Sequence, residues 1–125
     1  MTPARWPAML ALVAASASAQ DPIATDGDKY RVLLENEQVR VLAYEDQPGA
    51  RTQWHTHPGF VVVALAPFER RLTLDDGRRL TRRFDTGEVL FSKGETHLGE
   101  NIGTTPTRVI MIELKRAPVT TASGR

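Results

Sequence analysis

The 125-residue chain has no cysteine. That excludes disulfides, thiolate metal ligands and a lipid-modified cysteine behind an export signal. It has little net charge of either sign, with 16 basic and 15 acidic residues. Such a balance argues against bulk nucleic-acid or membrane binding. No apolar run is long enough to span a bilayer; the longest early one, Ala8 to Ala15, falls well short. No segment after residue 20 shows helical periodicity. There is no Ser-His-Asp arrangement, no nucleotide loop and no helix-borne zinc motif. Histidine is scarce too, with three in the chain.

Residues 1–19 read as a signal peptide. Arg5 is the positive region, Ala8 to Ala15 the apolar core, and Ala17-Ser18-Ala19 the small-residue cleavage site before Gln20. The exported product is expected to be periplasmic or secreted. Its first stretch, 20–29, carries Pro, Gly and three Asp residues from Asp21 to Asp28 and reads as an exposed, flexible lead-in. The domain is expected over 30–116, with a frayed tail at 117–125.

Short strands fill that domain. Tyr30–Glu35, Val39–Glu45, Phe60–Leu65, Arg70–Leu74, Arg78–Phe84, Val89–Phe91, Thr96–Gly99 and Thr107–Leu114 have strand composition and are closed by Gly, Pro, Asn or Asp turns. The continuous apolar run from Phe60 predicts a strand buried on both faces. Around Asp75-Asp76-Gly77 parity selects the loop. A three-residue loop sets Leu72 against Leu80 on one face, with Gly77 supplying positive φ; a two-residue loop splits those leucines between faces. Many short strands without helices predict an all-β sandwich or barrel.

Two of the three histidines lie in Gly49 to Pro58. In a strand His55 and His57 share a face, and neutral imidazoles at that spacing can reach one metal ion. His97 is a candidate to close a third side. Gly49, five residues and His55-x-His57 resemble the first half of cupin motif 1. Gly87 and Gly94-x-x-His97-x-x-x-Asn101 resemble cupin motif 2. The resemblance is to small, single-domain bacterial cupins and covers nearly all of the chain beyond residue 20. It implies a single-domain, RmlC-like jelly-roll β-barrel, with His55, His57 and His97 as metal ligands, and often a homodimer.

The departures from the pattern are as informative. Val61 and Val62 stand where motif 1 carries its glutamate; Pro67, Phe68 and Glu69 occupy the region of its closing glycine; and Ser92-Lys93-Gly94 replaces Pro-x-Gly. Three imidazoles without a carboxylate suit Fe, Zn, Cu or Ni better than Mn. Three neutral ligands leave the ion's charge uncompensated, which predicts an anionic, chelating small-molecule ligand. Cupin dioxygenases that act on thiols and on β-diketones are similar in using three histidines without the glutamate. One functional reading is therefore an exported, metal-dependent, dioxygenase-like enzyme, or a related lyase or isomerase, acting on a small acid. Another is a non-catalytic cupin that binds or senses a metal or small molecule. A third is a barrel whose metal site has lapsed.

Further candidates have two readings each. Gln53 has the parity of His55 and His57 and is expected to face their cavity, or else solvent. Glu100, three after His97, is either a substitute ligand or part of a turn; its strand parity favours the turn. Asn101 is expected to satisfy backbone groups in a turn. Trp54, Phe60, Phe91 and Met111 are pocket walls or plain core, and Tyr44 is either. Six arginines crowd the 70–84 hairpin, with Arg70 opposite Arg82. On an inward face they require an anion or acid as partner; the plainer account is a barrel mouth open to solvent.

Overall fold

The computed structural model describes residues 20–115; the expected signal peptide and tail lie outside the described residues. After one short helix, α1 (Pro22–Thr25), nine strands follow: β1 (Tyr30–Glu35), β2 (Val39–Asp46), β3 (His55–His57), β4 (Phe60–Ala64), β5 (Phe68–Leu74), β6 (Arg79–Phe84), β7 (Val89–Ser92), β8 (Glu95–Asn101) and β9 (Thr107–Leu114). They form two antiparallel sheets, ordered β1-β2-β9-β4-β7 and β3-β8-β5-β6. The expected all-β jelly-roll architecture is what is found. The strand limits agree with the sequence reading to within about two residues, except that the histidine stretch contributes only the three residues of β3.

Alternation builds the interior. In β2, Leu42, Tyr44 and Asp46 are buried; in β4, Phe60, Val62 and Ala64; in β9, Thr107, Val109, Met111 and Glu113. The register stacks them, with Leu42 and Val62 both opposite Met111, Tyr44 opposite Val109, and Asp46 opposite Thr107. Phe68 and Phe84 join the same core from the other sheet, with rings stacked 4.7 Å apart. β4 departs from expectation: Val61 and Val63 are only half-buried, because the second face of its sheet is not fully covered. β1 lies at the edge of its sheet and leaves Val32, Leu33 and Leu34 exposed beside a bulge between Val32 and Leu34.

The lead-in is more ordered than its composition suggests. Asp21 caps α1 by accepting a hydrogen bond from the Ile23 amide, and Pro22 at the first helical position has no N–H to satisfy. Asp26, just beyond the helix, is 2 % exposed. A polar, glycine-containing segment was expected to stay in water, and the buried partners of its carboxylates hold it down instead.

The β5–β6 hairpin has the three-residue loop that parity requires: Leu72 pairs with Leu80, Arg70 with Arg82, and Gly77 has φ +88°. Gly94, between β7 and β8, has φ +109° and a tighter constraint. A Cβ there would lie 3.0 Å from the His57 carbonyl oxygen and 3.1 Å from the Pro58 carbonyl carbon, whereas Gly77 has open space. Gly77→Ala should therefore cost about 1–2 kcal/mol from the left-handed backbone alone. Gly94→Ala should cost about 1–3 kcal/mol more, because it also pushes on the backbone beside His57. Urea unfolding of both variants checks the order; equal losses would contradict the close approach at Gly94.

Candidate metal centre

Pairing of β3 with β8 sets His55 opposite His97, Thr56 opposite Thr96 and His57 opposite Glu95. His55, His57, His97 and Glu95 thus share the inward side, while Thr56 and Thr96 join hydroxyls at 2.8 Å on the other. The three imidazoles are buried, at 0, 1 and 6 % exposure for His55, His57 and His97. Their ring centroids lie 4.7 to 5.1 Å apart. One nitrogen from each ring falls within 4.8 Å of the other two, so the structure brings all three sequence candidates together.

Each ring is backed by a carboxylate. His55 Nδ1 is 3.2 Å from Asp26 Oδ2, and His57 Nδ1 is 2.9 Å from Glu113 Oε2. His97 Nδ1 is 3.6 Å from Glu95 Oε2, an electrostatic contact longer than a hydrogen bond. A carboxylate at Nδ1 favours the tautomer that carries its proton there, which leaves Nε2 as a lone pair. His55 Nε2 and His97 Nε2 face each other at 3.1 Å, and His57 Nε2 and His97 Nδ1 are buried with no hydrogen-bond partner. Two facing lone pairs repel unless a shared proton or a metal cation lies between them. Nitrogens bound at about 2.0–2.1 Å to one ion stand roughly 3–3.5 Å apart, so the His55–His97 separation already suits a shared ion. The residues fit a divalent metal.

Protonation states agree. Burial and the two neighbouring imidazoles push the His55 pKa down to about 4, against the pull of Asp26. Burial also lowers His97, against Glu95. Both rings are neutral near pH 7, as a ligand must be. Burial alone would raise Glu113, but hydrogen bonds from His57 and Arg40 outweigh it and hold the carboxyl below its usual range. The His97 imidazole beside Glu95 lowers that carboxyl as well.

The outer contacts reach into the lead-in. Arg40 donates to Glu113 Oε1 at 2.7 Å and pairs with Asp21 at 2.9 Å, so the helix cap, Arg40, Glu113 and His57 form one chain. Asp26 accepts the Gln53 amide as well as backing His55. Charge is therefore not left uncompensated. Three carboxylates surround the imidazoles, one of them shared with Arg40, and together they balance a divalent ion. The expectation of an anionic ligand rested on uncompensated charge, and these carboxylates weaken that argument.

Beside the imidazoles lies a cavity of about 410 Å³ between the sheets, reached by His97, Tyr30, Val62 and Met111 among others. Val62 lines it from one position where a motif 1 glutamate would stand, and Val61 points to the other face of β4. Arg70, Arg82, Phe91 and Met111 all line this cavity. Arg70 is an internal brace: it donates to Asp46 at 2.8 Å and to the Tyr44 hydroxyl at 2.9 Å, and Tyr44 in turn donates to Asp46. Gly99 makes room for it, since a Cβ there would meet the guanidinium at 2.5 Å. Arg82 is half in solvent, pairs with Glu88 at 3.3 Å and lies over the Phe84 ring. Phe91 is largely exposed at the mouth, and Met111 is buried.

Gln53 does not face the cavity. Residues 52–54 are outside β3, so strand parity does not extend to Gln53; its side chain is exposed and donates to the Thr25 carbonyl at 3.2 Å. Trp54 is exposed and walls no pocket near the histidines. Glu100 pairs with Arg71 on the outer face of β8, within the strand rather than in a turn. Asn101 satisfies backbone groups, donating to the Thr105 carbonyl and accepting from the Gly103 amide, and it also donates to Asp46.

Asp26, Glu113, Glu95, Arg40 and Tyr30 were not singled out from the sequence. Glu95 was findable, two residues before His97 and therefore on its face. Glu113 was masked because both parities of β9 are apolar, and Asp26 because its segment looks exposed. Asp26→Asn and Glu113→Gln should each weaken metal affinity by roughly 10–100-fold, measured by competition with a chelator. Unchanged affinity in both would separate these carboxylates from the centre.

No family model matches the chain, and no curated protein does. Solved structures do. A cupin domain from Bordetella pertussis Tohama I is 28 % identical, with TM-score 0.64, covering 70 % of this chain and 92 % of that one. An RmlC-like cupin family protein with a double-stranded β-helix fold from Methanocaldococcus jannaschii is 16 % identical, with TM-score 0.58, covering 69 % and 78 %. A polyketide cyclase from Streptomyces resistomycificus is 23 % identical, with TM-score 0.53, covering 71 % and 66 %, and is a likeness of fold.

Proposed function

This chain belongs to the cupin superfamily, and from that premise we propose that it binds a divalent transition metal through His55, His57 and His97 and acts with it on a small molecule held in the adjoining cavity. The observation that carries this reading is the convergence of three buried imidazoles, each with a carboxylate behind it. Fe, Zn, Cu and Ni suit a three-imidazole donor set. When bound, the ion would supply a Lewis-acid centre, and among the described residues three imidazoles converge to hold it.

The protein's own residues do the rest. Asp26 and Glu113 hold the His55 and His57 rings in orientation, and Arg40 keeps Glu113 in place and ionised. Tyr30 packs edge-on against His55, with centroids 5.9 Å apart, and Phe60 packs against His57 at 5.2 Å; both restrict water at the imidazoles. Glu95 lies beside His97 and lines the cavity, so it is the carboxylate positioned to accept a proton from a molecule bound there. The polyketide cyclase likeness is compatible with catalysis in this cavity and does not choose the reaction.

Protein purified without an affinity tag should carry close to one transition-metal ion per chain, and stripped protein should gain thermal stability on adding that ion. His97→Ala should lower the metal content at least ten-fold. Metal-free protein whose melting temperature ignores added Zn, Fe, Cu and Ni would contradict the reading.

A further inference from the structure

We infer that the cavity beside the metal centre takes an uncharged, flat, mainly apolar molecule of one or two rings; this rests on the metal-site reading and narrows its substrate class. Most of the wall is hydrocarbon. Phe60, Val62, Leu90 and Met111 come from one sheet, and Leu72 and Phe84 from the other. The volume, about 410 Å³, is near the lower end of ligand-sized pockets. A molecule the size of two fused rings fills much of it.

Charge decides against an anion. Three charged side chains line the cavity among the described residues: Arg70, Arg82 and Glu95. Arg70 is occupied by Asp46, the Tyr44 hydroxyl and, more distantly, Thr107 Oγ1. Arg82 is paired with Glu88 and spread over the Phe84 ring, so it presents the mouth with a neutralised, stacked surface. Glu95 remains, at the end nearest the histidines, with Ser92 donating to it at 3.2 Å. A carboxylate entering this cavity therefore loses its hydration, finds no free cation on the walls and meets Glu95. At the centre itself, Asp26, Glu113 and Glu95 supply negative charge that outweighs Arg40 and offsets a divalent ion, while Lys29 stands 3.9 Å from Asp26. An uncharged ring system instead exchanges water for Phe60, Phe84 and Met111, and Glu95 can accept a hydrogen bond from a hydroxyl at its polar edge.

The test titrates 2-naphthol and 2-naphthoate, matched in shape and different in charge, into metal-free and zinc-loaded protein at pH 7 by calorimetry. Naphthol should bind at least ten-fold tighter than naphthoate in both forms. Leu72→Trp and Leu90→Trp fill the cavity from opposite sheets, and each should reduce naphthol affinity at least ten-fold in protein that still retains zinc. Naphthoate binding as tightly as naphthol in either form, or naphthol affinity untouched by both substitutions, overturns the inference. Zinc binding without naphthol binding defeats the inference and leaves the metal reading standing. Naphthol binding to a protein that retains no metal does the reverse.

Discussion

The β3–β8 register is the constraint on which the site depends. It is three residues long on the β3 side, and it fixes His55 opposite His97 and His57 opposite Glu95. A slip of β3 by one residue would turn His55 and His57 outward and bring Thr56 in, away from His97, which β5 holds in place through β8. Little in so short a strand resists such a slip unaided. The resistance comes from either side of it: Asp26 holds His55, Glu113 holds His57, and Gly94 lets the β7–β8 turn press against the backbone of residues 57–59. The Thr56 amide also donates to the Gln20 carbonyl, which adds the lead-in to the outer edge of β3.

That arrangement ties together parts of the molecule with different origins in the sequence. Glu113 ends an inward row that otherwise builds the core, so one strand supplies both packing and a carboxylate for His57. Arg40 sits opposite Glu113 in β2 and reaches Asp21 at the cap of α1. Burying such a chain costs desolvation, which these residues offset by satisfying one another. The consequence for function is electrostatic. A donor set of three neutral imidazoles looks strongly electrophilic in isolation, yet its carboxylate surroundings moderate the charge seen from the cavity.

Much of this was legible in the sequence. Alternation and turn residues located nearly every strand, and parity alone chose the register of the β5–β6 hairpin, including the opposition of Arg70 and Arg82. The histidines were found because period two and motif spacing apply directly to them. Gln53 failed because period two holds only inside a strand, and β3 begins at His55. Asp26 was missed because local composition marks Asp and Gly as turn residues, and its burial depends on a partner 29 positions away. The argument for an anionic ligand was incomplete for a related reason: it counted the ligands and left out the acids behind them. The plainer reading, a mouth open to solvent, holds for Arg82 but not for Arg70, which is largely buried and has Asp46 as the acid that an inward position requires.

The central claim is that carboxylates hold the imidazoles with Nδ1 protonated and Nε2 directed to a common point. Long-range ¹H–¹⁵N correlation spectra of the histidine rings, recorded near pH 7 on metal-free protein and again with zinc, test it most directly. The account predicts neutral rings with Nδ1–H for His55 and His57 before zinc, and a shift of Nε2 in all three rings after it. Rings protonated at Nε2 in the metal-free protein, with Nε2 signals that zinc leaves in place, would contradict it.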